Sequence, residues 1–223
     1  MKTEKLDVFL VDMALANLHL EPFAHILNEM EEIKARKFVR PQDARNYRVH
    51  KILEKLLLSR YLSCSVEEVL LKYSSTGGPM CYGSISYSKS HSGNLVIFAF
   101  TKFDVGIDLE EITDHENNLL LMDILHPEES FSPNDFFKVW TQKEAYLKFI
   151  GTGLNLPMSS VKLTVENEGH VGARGVGRYA PAQVSEILLT SHPSFVCHVS
   201  FPNEVSLQIN FHDHEQTIDF VLI

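Results

Sequence analysis

An alternating pattern occupies residues 105–110, which read Val105-Gly106-Ile107-Asp108-Leu109-Glu110. Apolar residues on one side and glycine or acidic residues on the other predict a half-buried β-strand. Asp108 and Glu110 would stand about 6–7 Å apart on that strand, close enough for two oxygen ligands to share one cation. Gly106 shares their face and removes a side chain where a ligand could approach. The stretch therefore predicts a strand that carries a cation site.

A second acidic stretch follows about three dozen residues later and reads Trp140-Thr141-Gln142-Lys143-Glu144-Ala145-Tyr146-Leu147-Lys148. It predicts a helix with Glu144 and Lys148 one turn apart on a common face. Together the two stretches offer three carboxylates and two ammonium groups, which suits a magnesium-bound phosphate. Each has a local alternative, namely the wet face of a strand and an ordinary helical ion pair.

The rest of the chain mixes helical and extended patterns. Predicted helices cover residues 23–37, 43–61 and 132–150, and Gly151 ends the last one. Predicted strands cover residues 6–11, 85–87, 95–100, 161–165, 185–190 and 195–201, followed by a terminal β segment. Because helices followed by strands recur in the second half, an internal duplication is an open interpretation.

Composition limits the class of protein. Hydrophobic residues make up 44% of 223 residues, enough for a real core. Three cysteines without paired spacing, no signal-peptide pattern and no apolar run long enough to span a bilayer predict a soluble, cytoplasmic protein. The formal net charge of −9 argues against nucleic acid as a general partner.

One tract of this negatively charged chain is strongly basic. Residues 34–60 contain nine cationic and two acidic side chains. This tract is either a solvated helix surface or a landing site for an anionic ligand or an acidic partner.

Three motifs in this order, Ser90-His91-Ser92-Gly93, the strand 106–110 and the helix 140–148, resemble the signatures of the Sfp-type 4'-phosphopantetheinyl transferases. The similarity extends from about Lys34 to Pro157. Lys37-Phe38 and Asp43-Ala44-Arg45 resemble a fourth, looser signature.

The resemblance implies a monomer of two similar α+β halves, residues 1–104 and 105–223, related by pseudo-two-fold symmetry with coenzyme A between them. Asp108, Glu110 and Glu144 would match the magnesium ligands. Ser90 and His91 would match coenzyme contacts, with His91 at the phosphates, and Lys148 would match the lysine near the pyrophosphate. The remaining coenzyme residues, at its 3'-phosphoadenosine end, would be Lys34, Arg36 and Arg45.

The chain departs from the family pattern at two positions. It reads Gly77-Gly78-Pro79 where a basic residue commonly stands between glycine and proline, and Gly151-Thr152-Gly153 where many members have Gly-Lys-Gly. One coenzyme contact is therefore expected to be missing or to come from elsewhere.

The activity implied by the resemblance is transfer of the 4'-phosphopantetheine arm of coenzyme A to a serine of an apo acyl or peptidyl carrier protein. Such carriers serve fatty-acid, polyketide or nonribosomal peptide synthesis. Glu144, Lys148 and His91 would be catalytic, and Glu144 would take the serine proton directly or through a metal-bound water. Two alternatives stay open: a non-catalytic module that binds coenzyme A or a carrier, and a magnesium-dependent phosphohydrolase.

Overall fold

The structure is a computed structural model, and it describes residues 2–113, 118–165, 171–175 and 179–222. Its strands are β1 (Lys2–Asp12), β2 (Ser86–Ser92), β3 (Leu95–Thr101), β4 (Gly106–Glu111), β5 (Val161–Val165), β6 (Val171–Gly175), β7 (Ala182–Glu186), β8 (Phe195–Pro202) and β9 (Val205–His212). Its α-helices are α1 (Met13–Leu20), α2 (Glu29–Ala35), α3 (Pro41–Leu62), α4 (Asn118–Ile124), α5 (Phe136–Phe149) and α6 (His214–Leu222).

The strands form two sheets, and the predicted α+β class is confirmed. One sheet has the order β2-β3-β1-β9 and the other the order β4-β8-β7-β6-β5. In the second sheet, the pairs β4–β8, β8–β7, β7–β6 and β6–β5 are antiparallel. Asp108 of β4 stands opposite His198 of β8. β3 is buried along its whole length, as its continuous apolar run predicts.

Residue contacts divide the chain into two compact units. The first unit contains residues 1–8, 73–93 and 97–210, and the second contains residues 9–72, 94–96 and 211–223. The first unit therefore holds β2, the second sheet and α5, and the second unit holds α1, α2 and α3. The division at residues 104 and 105 into two similar halves stays a prediction.

Several predicted elements are corrected by the structure. The predicted helix 23–37 is wrong, because a 3-10 turn at Glu21–Ile26 is followed by a new helix, α2. Asn28 starts α2 through a capping box with Glu31, which gives the helix its own first turn. The segments β6 and α6 escaped prediction, and the strand expected at 185–190 ends instead at Glu186.

A membrane-spanning segment would need a long apolar helix. In the part of the chain that the structure describes, no helix combines the length and hydropathy that crossing a bilayer requires.

Candidate active site

Gly106 allows α5 to pack directly on β4. A Cβ atom added at Gly106 would lie 1.9 Å from the carbonyl oxygen of Ala145 and 2.4 Å from the backbone nitrogen of Phe149, so no larger residue fits. The expectation that the absent side chain makes room for a ligand is therefore wrong, since helix backbone fills that space. The close approach places Glu144 and Lys148 of α5 beside the acidic residues of β4.

A ladder of serines on β2 holds β4. Ser88, Ser90 and Ser92 alternate along β2 and so point to one side of the strand. The Oγ of Ser88 accepts a hydrogen bond from the Ile107 backbone nitrogen at 3.0 Å. β2 and β4 are edge strands of different sheets, so these side chains join two sheet edges that do not pair through their backbones.

The two remaining serines bind the acidic side chains of β4. The hydroxyl of Ser90 donates to Asp108 Oδ1 at 2.7 Å, and that of Ser92 donates to Glu110 Oε2 at 2.8 Å. Sequence reasoning selected only Ser90 from this ladder, as a coenzyme contact. Its period-two spacing is a signal that all three serines share one face of the strand.

Lys148 is the cation at the centre of this cluster. Its ammonium group lies 2.6 Å from Asp108 Oδ1 and 3.1 Å from Ser90 Oγ, and it also donates to the carbonyl of Ile107 at 3.1 Å. The pair is largely buried, with side-chain exposures of 27% for Lys148 and 4% for Asp108. The structure thus brings together Ser90, Asp108 and Lys148.

The other two acids of the cluster have raised pKa values. Loss of water on burial, together with the charges of Asp108 and Glu110, raises the pKa of Glu144 to about 7, although Lys148 opposes the shift. Burial also raises the pKa of Glu110, while its hydrogen bond from Ser92 works against the rise. Because the charges of Asp108 and Glu110 both act on Glu144, the three carboxylates share one electrostatic environment.

The carboxylate oxygens of this cluster are chemically suited to bind a hard cation. In the described residues, Asp108 Oδ2 and Glu144 Oε1 are buried atoms without a hydrogen-bond partner. A buried carboxylate oxygen in that state is costly unless a ligand compensates it, and oxygen ligands of this kind are those that magnesium prefers. Within the same residues, however, no three His, Cys, Asp or Glu side chains are arranged to hold a metal ion.

His91 lies on the opposite side of β2 from the serines, as its odd position in the alternation requires. It is exposed, yet partial loss of water around the ring lowers its pKa, and the positive charges of Lys148 and Lys89 lower it further. The imidazole is therefore mainly neutral at neutral pH and can donate one hydrogen bond.

Lys143 points away from this cluster. Its ammonium group is fully buried and lies 2.6 Å from Glu129 Oε2, and it donates to the carbonyls of Ile124 at 2.8 Å, Val161 at 2.7 Å and Met158 at 3.2 Å. Neighbouring positions on a helix are about 100° apart, so Lys143 and Glu144 face different directions. The expectation of two ammonium groups at the acidic site is wrong, and only Lys148 is there.

His198 is a buried residue that contacts α5 next to the acidic cluster, and it was not among the site residues predicted from the sequence. It is buried opposite Asp108, and its Nδ1 lies 2.7 Å from Thr141 Oγ1 and its Nε2 lies 3.4 Å from Gln142 Nε2. Burial lowers its pKa to about 3, with a smaller contribution from the charge of Lys138. A neutral imidazole thus connects α5 to the strand beside β4.

This lowered pKa predicts how stability depends on pH. The folded state resists protonation of His198 while the unfolded state accepts a proton near pH 6.5, so the contribution of His198 is complete above pH 6.5 and is lost as pH falls toward 3. The expected loss is about 1.4 kcal/mol per pH unit, or about 2 kcal/mol at pH 5. Urea unfolding of the wild type and of His198→Gln at pH 8 and pH 5 measures it.

The difference between the two proteins should shrink by about that amount at pH 5. His19→Gln, at an exposed position, should keep the wild-type pH dependence. A His198→Gln protein whose stability falls with pH as steeply as the wild type's would contradict the assignment.

The basic tract lies in the second unit, and part of it serves the fold. Arg48 forms two hydrogen bonds with Glu32, Lys51 lies 3.1 Å from Glu54, and Lys55 lies 2.7 Å from Glu31. The exposed cations are Lys34, Arg36, Lys37, Arg40 and Arg45 at the start of the tract, and Arg60 at its end. All three predicted coenzyme contacts of the tract are thus among its exposed cations.

Those three side chains have only loose local contacts. The ammonium of Lys34 lies 5.5 Å from the ring centroid of Tyr47, Arg36 lies 3.9 Å from Glu32, and Arg45 donates to Gln42 at 3.4 Å. Their role toward a coenzyme stays a prediction.

A cleft of about 560 Å³ opens in the first unit next to the acidic cluster. Glu144 and Lys148 line it from α5, and Ser88 and Lys89 line it from β2. Its far wall consists of the loop around Gly78 and the turn after α5. Concave sites of this size with a few polar groups at one end are typical of small-molecule binding.

The sequence matches known proteins over the region that builds this site. Residues 104–200 match the model of the 4'-phosphopantetheinyl transferase superfamily. This similarity supports membership of that superfamily. The matched region contains β4, α5 and β8, and so includes all three acids, Lys148 and His198.

Curated relatives extend the similarity beyond that region. The 4'-phosphopantetheinyl transferase Sfp of Bacillus subtilis is 23% identical over 211 residues, covering 88% of this chain and 94% of the relative. The 4'-phosphopantetheinyl transferase gsp of Aneurinibacillus migulanus is 28% identical over 68% of this chain and 70% of its own length. The 4'-phosphopantetheinyl transferase HetI of Nostoc sp. is 30% identical over 60% of this chain and 64% of its own length.

Proposed function

We propose that the protein transfers the 4'-phosphopantetheine group of coenzyme A to a serine hydroxyl of an apo acyl or peptidyl carrier protein and releases 3',5'-adenosine bisphosphate. The superfamily match over residues 104–200, which builds the acidic cluster beside the cleft, carries the proposal. In this reaction the serine oxygen bonds to the β-phosphorus of the coenzyme. The bond from that phosphorus to the bridging oxygen of the pyrophosphate breaks, and its electrons leave with the bisphosphate.

Glu144 is the proposed base for the serine proton. Without a bound metal, its pKa of about 7 is close to the operating pH, which suits a proton acceptor. It lines the cleft, where a serine hydroxyl would reach it directly or through a metal-bound water. The proton of the serine would move to that carboxylate as the oxygen attacks.

Lys148 and His91 are proposed to stabilise negative charge. Lys148 lines the cleft, and its ammonium, held by Asp108 and Ser90, would place a fixed positive charge near a bound phosphate. His91, mainly neutral at neutral pH, would donate one hydrogen bond to a phosphate without competing for a proton. Ser90 and Ser92 act as positioning residues that hold Asp108 and Glu110 in place.

Magnesium dependence is part of the proposal. Asp108, Glu110 and Glu144 would hold the ion, which the two partnerless buried oxygens support. When bound, magnesium would make the phosphorus more electrophilic and neutralise charge on the phosphates. We also propose that Lys34, Arg36 and Arg45 contact the 3'-phosphoadenosine end of the coenzyme, and that the protein acts in the cytoplasm as a monomer.

A mass-shift assay tests the function. The purified protein is incubated with coenzyme A, magnesium and a panel of apo carriers from fatty-acid, polyketide and peptide synthesis. At least one carrier should gain the mass of one phosphopantetheine group, and the same carrier with alanine at its acceptor serine should not. Coenzyme binding without any carrier modification would overturn transfer in favour of a binding module. Products released from coenzyme A without a carrier would favour a hydrolase.

A further inference from the structure

The cleft beside the acidic cluster has a wall made of two loops that touch. The hydroxyl of Thr76 donates to the carbonyl of Gly151 at 3.1 Å, and the Ser74 nitrogen donates to the carbonyl of Gly78 at 2.8 Å. The first loop is therefore closed on itself and held against the turn that follows α5. Gly78 and Gly151 both line the cleft. Of the two positions at which the chain lacks an expected basic residue, Gly78 lines the cleft, and Thr152 lies between the lining residues Gly151 and Gly153.

Charge in the cleft is uneven. Among the described residues that line it, the cationic side chains are Lys89 and Lys148, and the anionic ones are Asp104 and Glu144. Lys148 is held at the acidic end by its 2.6 Å contact with Asp108. A ligand with several phosphates needs positive charge at more than one place, and along the loop wall Lys89 is the lining residue that provides it.

The position of Lys89 follows from the alternation of β2. Ser88 and Ser90 point toward β4, so Lys89 points to the other side of the strand. Its ammonium lies 4.9 Å from the ring centroid of Tyr73 and 3.4 Å from the Tyr73 hydroxyl. Tyr73 pairs with Pro79 in an isolated β-bridge, which places the ammonium next to the loop around Gly78.

The charge of Lys89 also acts on the side of β2 that carries His91. Its charge lowers the pKa of His91 two positions along the strand. Lys89 and His91 are two positions apart on β2 and so point to the same side of the strand. The ammonium of Lys89 lies over an aromatic ring, which limits the conformations of a long side chain and reduces the entropy lost on binding.

We propose that Lys89 binds a phosphate group of the coenzyme at the loop wall and determines the affinity for it. This inference rests on the proposed function, because it takes coenzyme A as the ligand of the cleft. The 3'-phosphate and the pyrophosphate present the same chemistry to an ammonium group. The lysine takes the role that a basic residue at position 78 or 152 would have, from a neighbouring strand instead of from either loop.

The test compares Lys89→Met and Lys89→Arg with the wild type. Methionine keeps much of the stem and removes the charge, so KM for coenzyme A should rise at least tenfold with kcat little changed. Arginine keeps the charge and should restore most of the affinity. Lys102→Met, at an exposed position in the turn after β3, is the matched control and should keep the wild-type KM.

Calorimetric titration with coenzyme A alone separates this inference from the proposed function. Weaker binding by Lys89→Met, with the wild-type circular dichroism spectrum, supports it even if no carrier is modified. Titration with dephospho-coenzyme A identifies the phosphate, because the loss should vanish if Lys89 binds the 3'-phosphate and persist if it binds the pyrophosphate. Equal affinity of Lys89→Met and wild type for coenzyme A would overturn the inference while leaving transfer intact.

Discussion

Glu144→Gln is expected to stop transfer and to make the protein more stable. Removing the proposed base should lower kcat about 10³-fold. The stability gain has a separate cause, because burial and two neighbouring carboxylates raise the pKa of Glu144 to about 7. The folded state therefore holds this proton more tightly than the unfolded state, and stability falls as pH rises from 4.5 to about 7. At pH 8 without metal, replacing Glu144 with a neutral glutamine should restore about 3 kcal/mol of unfolding free energy.

Both effects can be measured on one preparation. Single-turnover mass spectrometry with saturating coenzyme, magnesium and carrier gives the rate, and urea unfolding in the presence of a chelator gives the stability. The stability difference should disappear near pH 4, where both side chains are neutral. Glu204→Gln, in the exposed turn between β8 and β9, should change neither quantity. A Glu144→Gln protein that is both inactive and less stable would show that Glu144 supports the fold.

Much of the site was predictable because its residues are close in sequence and follow regular periods. Asp108 and Glu110 share a strand face, and Glu144 and Lys148 share a helix face, so periodicity places each pair. Their meeting is a tertiary event that depends on Gly106, at which α5 touches the backbone of β4. One sequence gives no measure of that approach, and Gly106 was therefore interpreted as room for a ligand.

Other features could not be predicted because a pattern does not show which way a side chain turns or what it contacts. The serines of β2 follow a clear alternation, yet their role depends on the acidic edge strand of another sheet. His198 lies 57 residues from its partner Thr141, and nothing local distinguishes it from the other histidines. The basic tract shows its mixed role only once Arg48, Lys51 and Lys55 are seen to form ion pairs.

Lys143 shows most clearly how an adjacent residue can have a different role. It precedes Glu144 in the motif, so sequence reasoning placed it in the site, but the structure buries it against Glu129. Glu129 in turn accepts from the backbone nitrogens of His126 and Leu163 at 2.8 Å and 2.5 Å. This buried pair therefore connects three segments around α5, and its effect should be on stability.

Lys143→Met is accordingly expected to cost about 3–5 kcal/mol of unfolding free energy, because the carboxylate of Glu129 would stay buried without its cation. If this variant does not fold, the double variant Lys143→Met with Glu129→Gln gives the answer, since removing both charges should restore part of the loss. Lys138→Met, at an exposed position of the same helix, should stay within about 0.5 kcal/mol of wild type. Urea unfolding at pH 8 measures all four proteins.

Activity measurements then separate the stabilising role of Lys143 from the proposed catalytic role of Glu144 and Lys148. Whichever Lys143 variant is folded at low temperature should transfer phosphopantetheine at close to the wild-type rate, because its ammonium points away from Glu144 and Lys148. A folded variant with transfer reduced as strongly as in Glu144→Gln would return Lys143 to the site and contradict the structural role. A Lys143→Met protein as stable as the wild type would also contradict the structural role of Lys143, because a buried carboxylate cannot lose its cation without a loss of stability.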